Sequence, residues 1–418
     1  MQERLQRLPL VRLGDLSSVN GLNFMSSLSV AVAHVPSPPP AFNKPIYVTQ
    51  PLLPSLELYT ERLAEVWESK WLTNGGPQHA ALEERLSKFF DNSNVSLFNN
   101  GTIALVTACQ AFRLQGEVIT TPFTFPATPH VLSWNGITPV FADIDPVSMN
   151  LDPANIEPLI TNRTSAILAV HVFGTPCDVS GIQTIAQRHG LRVIYDGAHA
   201  FGTRISGKPI TDFGDATMLS FHATKLFHTA EGGALVVRDA EVKKRIDFLK
   251  NFGIKDEFTV LMPGINGKMT ELSAALGLLT LEMVAEEQKK RRAIAAIYRS
   301  RLRELPGIIV PSERPGVVGS EQYFPIRIDA ASCRTSRDSV YTELRRFNVH
   351  ARKYFYPLCS DHSCYRMLPS AQPSYLPVAQ KVASQVLCLP FYGALSADDV
   401  HRICDILSHI VLGGYCYA

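Results

Sequence analysis

The sequence predicts an α/β protein built on a mainly parallel sheet of about seven strands, followed by a smaller C-terminal α+β domain. Seven short apolar runs alternate with helix-like or turn-rich intervals, and their nearly continuous hydrophobic character is typical of strands buried on both faces. The chain has 418 residues, which exceeds the usual size of a single domain. The runs are VSLF at 95–98, EVIT at 117–120, PVFADI at 139–144, AILAVHVF at 166–173, RVIYD at 192–196, ATMLSF at 216–221 and GALVV at 233–237.

Three segments are expected along the chain. Residues 1–44 show weak periodicity and end in the proline-rich HVPSPPPAF, which predicts an extended or disordered tail. The choice of a start codon upstream of Met25 is an alternative explanation for the beginning of this tail. Residues 45–294 are predicted to form the large domain, and residues 295–418 the small one, with YFPIRI and VLCLPF as strands.

Two helices are predicted with defined starts. Pro77 suits the first turn of a helix, and Thr270 is the expected N-cap of a much longer helix. The basic stretch QKKRRA in the long helix is expected to be a solvated face. The apolar face of the long helix is predicted to contain Leu272, Leu276, Leu279 and Met283.

The composition is that of an ordinary globular protein. Hydrophobic residues make up 46% of the chain, and 40 basic residues almost balance 38 acidic ones, so neither a nucleic-acid partner nor a membrane is expected. No apolar run approaches the roughly 20 residues that span a bilayer, and a cytoplasmic location is predicted. Cys359, His362 and Cys364 lack the paired spacing of a zinc site, so no metal is expected.

Residues capable of chemistry follow the predicted strands, where ligands bind in open α/β sheets. VSLF runs into NNGTIAL, where Gly101 and Thr102 open a helix whose free N–H groups could hold a phosphate. RVIYD places Asp196 at a strand end, with Ala198 two residues on. Taken alone, the NNGTIAL turn could be a plain helix start, and Asp196 could be a helix cap.

Two further stretches complete the set. ATMLSF is followed by HATK, which brings the Ser220 hydroxyl near Lys225, and EVIT is followed by TPFTFPAT, which carries Phe125. A solvated surface lysine and a core phenylalanine are the alternative interpretations of these residues. A phosphate cradle, an aromatic plate, a buried carboxylate and a lysine at one sheet edge are together the parts that hold pyridoxal 5′-phosphate as a Schiff base.

The chemistry explains the residue types. Lys225 must be a primary amine to form the Schiff base and then a base that moves a proton, neither of which arginine could do. Asp196 would pair with the pyridinium nitrogen and keep it protonated. Phe125 would stack on one ring face and Ala198 would cover the other. His199 would orient the phenolic oxygen of the cofactor, or it is a hydrogen-bonded structural histidine.

The ordered motifs WLTNGGP, NNGTIAL, TPFTFPAT, YDGAHAFG, SFHATKLFHTAEGG, PGINGKMTE and ARKYFYPL resemble the sugar aminotransferases of the DegT/DnrJ/EryC1/StrS family, which are fold type I pyridoxal-phosphate enzymes. The resemblance covers residues 45–418. It implies that Lys225 carries the cofactor, that Asp196 pairs with its ring nitrogen, and that a homodimer shares its active sites. It further implies that Gly101, Thr102 and Ser220 hold the cofactor phosphate and that Asn266 reaches the phosphate of the partner subunit.

The resemblance also implies an activity. PGINGKMTE and ARKYFYPL look most like the branch that moves an amino group from glutamate to carbon 4 of a nucleotide-linked 4-keto-6-deoxyhexose, here expected to be dTDP-4-keto-6-deoxyglucose. Thr175 and Lys268 depart from the commonest family pattern, which affects the substrate and not the cofactor. Lys268 and Tyr354 are the candidate substrate residues, although surface or core roles are equally open to them.

Other activities remain open at this stage. Amination at carbon 3, or of a cyclitol or aminobenzoate precursor, would use the same cofactor machinery. The dehydratase branch of the family has histidine in place of the lysine, so Lys225 argues against it. A non-catalytic cofactor-binding regulator would keep the fold without turnover.

Overall fold

A seven-stranded sheet forms the centre of the computed structural model, which describes residues 38–333 and 335–413. Its strand order is β2-β10-β9-β6-β5-β3-β4, and every strand runs parallel to the others except β10, which is antiparallel to both of its neighbours. The α/β class with a mainly parallel sheet is therefore confirmed. The strands of the described residues are β1 Ile46–Tyr47, β2 Val95–Phe98, β3 Glu117–Thr120, β4 Thr138–Phe141, β5 Thr164–Val170, β6 Arg192–Asp196, β7 Arg204–Ile205, β8 Lys208–Pro209, β9 Ala216–Ser220, β10 Gly233–Val237, β11 Ile254–Asp256, β12 Thr259–Val260, β13 Ile308–Ile309, β14 Val317–Val318, β15 Phe324–Ile328, β16 Val349–His350 and β17 Val386–Leu389.

Helices cover both faces of the sheet, and α7 extends beyond it. The predicted start at Pro77 is confirmed, and the Thr270 hydroxyl caps α7 by accepting the Ser273 N–H at 3.2 Å. The helices of the described residues are α1 Leu56–Ser69, α2 Pro77–Phe90, α3 Gly101–Ala111, α4 Ala127–Trp134, α5 Val179–His189, α6 Ala240–Leu249, α7 Glu271–Leu302, α8 Ala330–Cys333, α9 Arg337–Arg346, α10 Pro377–Gln385 and α11 Ala397–Gly413.

The buried face of α7 differs from the predicted one. Of the four predicted residues only Leu276 is fully buried, whereas Ala274, Leu278 and Val284 are fully buried without having been predicted. The reason is that α7 packs against α1, α2 and α11, so several sides of the helix lose contact with water. Small alanines let these neighbouring helices approach closely. A prediction based on a single apolar stripe therefore misses part of the buried surface of α7.

The basic stretch of α7 is not wholly solvated, which corrects the sequence prediction. Arg291 is only 1% exposed; its Nε donates to Glu287 Oε1 at 2.6 Å and its Nη1 donates to the Glu321 carbonyl at 3.1 Å. Glu287 also accepts the Gly393 N–H at 2.8 Å. The ion pair between two turns of α7 is therefore buried, and it ties the helix to two later segments of the chain.

Strands β15 and β17 pair antiparallel and pack with α7, α9 and α11 in a core that includes Phe42. Phe42 is 6% exposed, and its N–H donates to the Phe347 carbonyl at 3.1 Å, so the end of the predicted tail packs in this core. Residues 1–37 lie outside the described residues. The boundary predicted between residues 294 and 295 falls inside α7, and the division into two domains stays a prediction.

Neither a metal-binding cluster nor a membrane-spanning helix is present among the described residues. In the part of the chain that the structure describes, no group of three or more His, Cys, Asp or Glu side chains is placed to hold a metal ion. None of the helices in residues 38–333 and 335–413 combines the length and apolar character needed to cross a bilayer.

We predict that Arg291→Met lowers the stability of the fold by about 3–5 kcal/mol, because it leaves the buried Glu287 carboxylate without its ionic partner. The guanidinium midpoint of unfolding would measure the loss. Arg292→Met, which changes the exposed neighbouring arginine, is the matched control. The double variant Glu287→Met with Arg291→Met should recover much of the loss, and a single variant as stable as the wild type would contradict the prediction.

Candidate active site

The candidate site lies at the edge where β2, β6 and β9 end. β6 and β9 are parallel neighbours, with Asp196 opposite Met218, so their following loops leave the sheet side by side. β10 pairs antiparallel with both β9 and β2, and β2 therefore ends at the same edge. This arrangement brings together segments that are about a hundred residues apart in the sequence.

Close backbone packing shapes the start of α3. The Asn100 side chain caps the helix by accepting the Ile103 N–H at 2.8 Å. A Cβ atom on Gly101 would lie 3.2 Å from the Ser220 Cβ, and one on Gly233 would lie 2.7 Å from the Gly101 nitrogen. Only glycine at these positions lets the first turn of α3 lie against β9 and β10, beside Ser220. The first N–H groups of a helix are free to bind an anion, so this turn is a candidate phosphate cradle.

Thr102 follows Gly101 in the first turn of α3, and its side chain is exposed. Ser220 is partly buried at the last position of β9. The two hydroxyl-bearing residues predicted to bind phosphate therefore lie on the two elements that form the cradle.

Asp196 is a buried carboxylate with defined partners. It is 4% exposed, and it accepts the Thr128 hydroxyl at 2.8 Å and the Ala198 N–H at 3.0 Å. Burial raises the pKa of Asp196, while these two hydrogen bonds and the positive charge of Lys225 oppose that rise. A nearby positive charge therefore stabilises the ionised form of this carboxylate.

Lys225 is the amine of the site. It follows β9 and is partly buried, with its Nζ 6.0 Å from the centre of the Tyr323 ring. Burial lowers its pKa to about 8, and Asp196 acts in the opposite direction. A lysine with this pKa has much more free amine near neutral pH than an ordinary lysine, and the free amine is the nucleophilic form.

His199 is held as a neutral side chain. Its Nδ1 accepts the Phe173 N–H at 3.2 Å, so the ring proton lies on Nε2. Burial, and then the charge of Lys225, lowers the pKa of His199 well below its ordinary value. The ring also packs edge-to-face on Tyr323 with 5.0 Å between centroids. His199 can therefore donate one hydrogen bond from Nε2 near Lys225.

Phe125 and Ala198, the residues predicted to cover the two faces of the cofactor ring, follow strands β3 and β6, which are separated by β5. Phe125 follows β3 and is 59% exposed, which is unusual for a phenylalanine next to a buried strand. Ala198 follows β6 and is partly buried. An exposed ring at the ligand-binding edge of the sheet is available for stacking on a flat ligand.

The structure brings Tyr354 toward the site but not Lys268. Tyr354 packs edge-to-face on Tyr323, with 5.4 Å between ring centroids, and Tyr323 in turn faces Lys225. Lys268 instead donates to Asn251 Oδ1 at 2.9 Å. Asn266 is exposed and Lys268 partly buried on the same segment, and in the described residues neither side chain forms a hydrogen bond or ion pair with Lys225.

Three residues of the site were missed by sequence reasoning. Thr128 lies in TFPAT and binds Asp196, so a hydroxyl in the first turn of α4 was an available signal. Gln322 and Tyr323 contact the Lys225 segment from nearly a hundred residues away. No local pattern in EQYFPI indicates that contact.

Comparison with known proteins decides the family. The model described as the DegT/DnrJ/EryC1/StrS aminotransferase family matches residues 56–408. The chain belongs to this family. As a DegT/DnrJ/EryC1/StrS aminotransferase it uses pyridoxal phosphate as its cofactor, and the sugar aminotransferases of the family act on nucleotide-linked keto sugars.

Relatives in sequence and structure cover almost the whole chain. The dTDP-4-amino-4,6-dideoxy-D-glucose transaminase of Escherichia coli is 48% identical over 370 residues, which are 87% of this chain and 98% of the relative. The Shigella dysenteriae protein of the same name is 45% identical over 369 residues, which are 88% of this chain and 99% of that relative. The structure of DesI in the presence of its TDP-sugar product superimposes with a TM-score of 0.86 at 39% identity, covering 91% of this chain and 96% of DesI. Helicobacter pylori PseC, an aminotransferase involved in the biosynthesis of pseudoaminic acid, superimposes with a TM-score of 0.81 at 29% identity. The match covers 90% of this chain and 100% of PseC.

The described residues fit the family cofactor. A buried carboxylate, an amine with a lowered pKa and a helix start lined by crowded glycines share one sheet edge. These features suit the ring nitrogen, the aldehyde and the phosphate of pyridoxal phosphate respectively. The roles of individual residues toward the cofactor stay predictions.

We predict that Gly233→Ala weakens the binding of pyridoxal phosphate by about five- to 150-fold. The added methyl group would meet backbone atoms of the α3 start at 2.7 Å; overpacking costs about 1–3 kcal/mol, and 1.4 kcal/mol corresponds to about tenfold in affinity. Absorbance titration of the cofactor-free protein measures the change. Gly319→Ala is the control, since its methyl group would meet nothing nearer than 3.5 Å. If Gly233→Ala bound the cofactor as tightly as the wild type, the assignment of the first turn of α3 as the phosphate cradle would be contradicted.

Proposed function

We propose that this chain transfers the amino group of glutamate to carbon 4 of dTDP-4-keto-6-deoxyglucose, giving the 4-amino-4,6-dideoxy sugar nucleotide. The observation that carries this proposal is the high identity to the E. coli dTDP-4-amino-4,6-dideoxy-D-glucose transaminase along nearly the full length of that enzyme. The likeness to DesI, whose structure was determined with a TDP-sugar product, supports the same class of substrate. A cytoplasmic location is part of the same proposal.

Lys225 is the proposed cofactor lysine and proton carrier. When bound, pyridoxal phosphate withdraws electrons from the carbon that bears the transferred nitrogen. The Nζ of Lys225 takes the proton from that carbon of glutamate and delivers a proton to carbon 4 of the sugar in the second half of the cycle. A pKa of about 8 suits both tasks, because the amine then accepts and releases a proton near neutral pH.

Asp196 is proposed to hold the ring nitrogen of the cofactor. The Thr128 hydroxyl and the Ala198 N–H occupy one oxygen each and orient the carboxylate. Since burial alone raises the pKa of Asp196, a protonated ring nitrogen beside it would restore its ionised form. The carboxylate thereby keeps a proton on that nitrogen throughout the reaction.

The remaining cofactor residues are proposed to position the group and keep water from it. Gly101, Thr102 and Ser220 would bind the phosphate at the start of α3. Phe125 would stack on one face of the ring and Ala198 would lie under the other.

His199 is proposed to donate from Nε2 to the phenolic oxygen of the cofactor. Its other nitrogen is occupied by the Phe173 N–H, which fixes the tautomer that this role requires. The neutral state of His199 also avoids a second positive charge beside Lys225.

The active unit is proposed to be a homodimer with shared sites. Asn266 is exposed and lies on a segment with several exposed apolar side chains, among them Phe258 at 90% and Val260 at 66% exposure. Clustered apolar surface of this kind favours a protein interface. Asn266 would then reach the phosphate bound by the second copy, and Lys268 beside it would face the substrate bound there.

The two half-reactions test the proposed function. Absorbance of the bound cofactor should change on addition of glutamate and return with dTDP-4-keto-6-deoxyglucose. Keto sugar nucleotides with the ketone at carbon 3, together with cyclitol ketones, are the comparison substrates. Recovery with one of these instead would assign the enzyme another substrate, and a cofactor spectrum unaffected by glutamate would overturn glutamate as the amino donor. Lys225→Ala should bind the cofactor without a borohydride-reducible link, so a retained link would show that another lysine carries it.

Hybrid dimers test the shared site. Lys225→Ala and Asn266→Ala should each be nearly inactive alone. Mixing after dissociation should restore about a quarter of wild-type activity, because half of the dimers are hybrids and each hybrid has one intact site. If Asn266 acted on its own chain, both sites of every hybrid would carry a defect and no activity would return.

A further inference from the structure

A glutamine from the C-terminal part of the chain contacts the backbone on both sides of Lys225. The Gln322 Oε1 accepts the Leu226 N–H at 2.7 Å, and its Nε2 donates to the Thr224 carbonyl at 2.9 Å. The side chain of Gln322 is 2% exposed. One amide group therefore satisfies a donor and an acceptor on the two residues that flank the lysine.

These contacts leave the Lys225 backbone little freedom. The Lys225 N–H donates to the His222 carbonyl at 2.8 Å, so the peptide groups before and after the lysine are all held. Buried hydrogen bonds of this kind cost free energy when one partner is lost, because the other partner is left without solvent. The direction in which the Lys225 side chain leaves the backbone is thus set by Gln322.

Gln322 is itself held by its neighbours in the segment 320–323. The Ser320 hydroxyl donates to the His199 carbonyl at 2.5 Å, and the Glu321 carbonyl accepts from Arg291 at 3.1 Å. Glu321 has a φ of 56°, a left-handed conformation that a non-glycine residue keeps only when its surroundings impose it. The imposed turn at Glu321 aims Gln322 at the lysine segment and Tyr323 at the Lys225 amine.

We propose that Gln322 is a positioning residue for Lys225, holding its amine toward Asp196 and His199. This inference rests on the proposed function, in which Lys225 carries the cofactor. The residue type follows from the geometry, because a glutamate has no donor for the Thr224 carbonyl and a methionine has neither donor nor acceptor. Without the amide, the lysine segment moves and the amine spends less time where it links to the cofactor.

The test compares Gln322→Met with wild type and with Gln380→Met, which removes a glutamine amide that binds Asp361 instead. Borohydride reduction of the cofactor-loaded proteins, followed by peptide mass spectrometry, gives the yield of cofactor on Lys225. We expect a clear loss of yield for Gln322→Met alone. Turnover should fall roughly ten- to a hundredfold, with little change in KM, because a small misplacement of a reacting group acts on the chemical step.

A second readout uses the cofactor-free protein. Acetic anhydride labelling of Lys225 as a function of pH reports the pKa of its amine, which the groups facing it, Asp196, His199 and Tyr323, influence together. Burial lowers this pKa in the wild type, so a lysine that leaves its site should show a higher labelling midpoint. A purely structural effect on overall stability would not move this midpoint.

The outcomes separate the two proposals. If wild-type cofactor is not reduced onto Lys225, the proposed role of the lysine fails and this inference fails with it. If the wild-type cofactor is reduced onto Lys225, and folded Gln322→Met shows the same yield of linked cofactor, the same pH midpoint of acetylation and the same turnover, then only the proposed role of Gln322 is overturned. Should Gln322→Met not fold, Gln322→Asn keeps an amide in the buried site but is one methylene too short, and the same measurements apply to it.

Discussion

The opposed effects of burial and attraction on Asp196 and Lys225 govern the rest of the site. Burial raises the pKa of the carboxylate and lowers that of the amine, so each group alone would tend toward its neutral form. Their mutual attraction opposes both shifts. The balance depends on geometry, and each group is held by a partner from elsewhere in the chain, Asp196 by Thr128 and the Lys225 backbone by Gln322. The fold therefore tunes the chemistry by fixing where two ionisable side chains meet.

The antiparallel strand β10 supplies the second constraint. It lies between β2 and β9, and without it the start of α3 would have no reason to lie next to the end of β9. Gly233 in this strand and Gly101 in the helix remove the side chains that would keep the two backbones apart. Because β10 runs antiparallel to β9 and Gly233 lies opposite Ser220, the connection 221–232 leaves and re-enters the sheet at the same edge, which keeps Ser220, Lys225 and the helix start in one region.

Local patterns predicted much of this architecture. Strands β2, β3, β6 and β10 have the predicted bounds, because continuous apolar runs between turn residues leave little choice of position. The strand-end rule then placed Asp196 and Lys225 at one edge. Arg291, Thr128 and Gln322 could not be found in this way. Thr128 and Gln322 bind partners 68 to 98 residues away, which no local pattern reveals. The Glu287–Arg291 pair has the ordinary i,i+4 spacing of a helix, and that spacing does not show whether the pair is buried.

The same reasoning explains why the cofactor half of the site is easier to predict than the substrate half. The residues proposed for the ring and aldehyde of the cofactor lie on strand-end loops of a single chain, where topology alone decides which of them meet. Asn266 is exposed, and the Lys268 side chain binds Asn251 and not a residue of the Lys225 loop. If the segment that carries Asn266 and Lys268 completes the site of a second copy, then the surface that selects the sugar is created by assembly and not by the fold of one chain. Relatives can then share the cofactor residues while differing in substrate, because changes at the interface leave the Asp196 and Lys225 geometry intact.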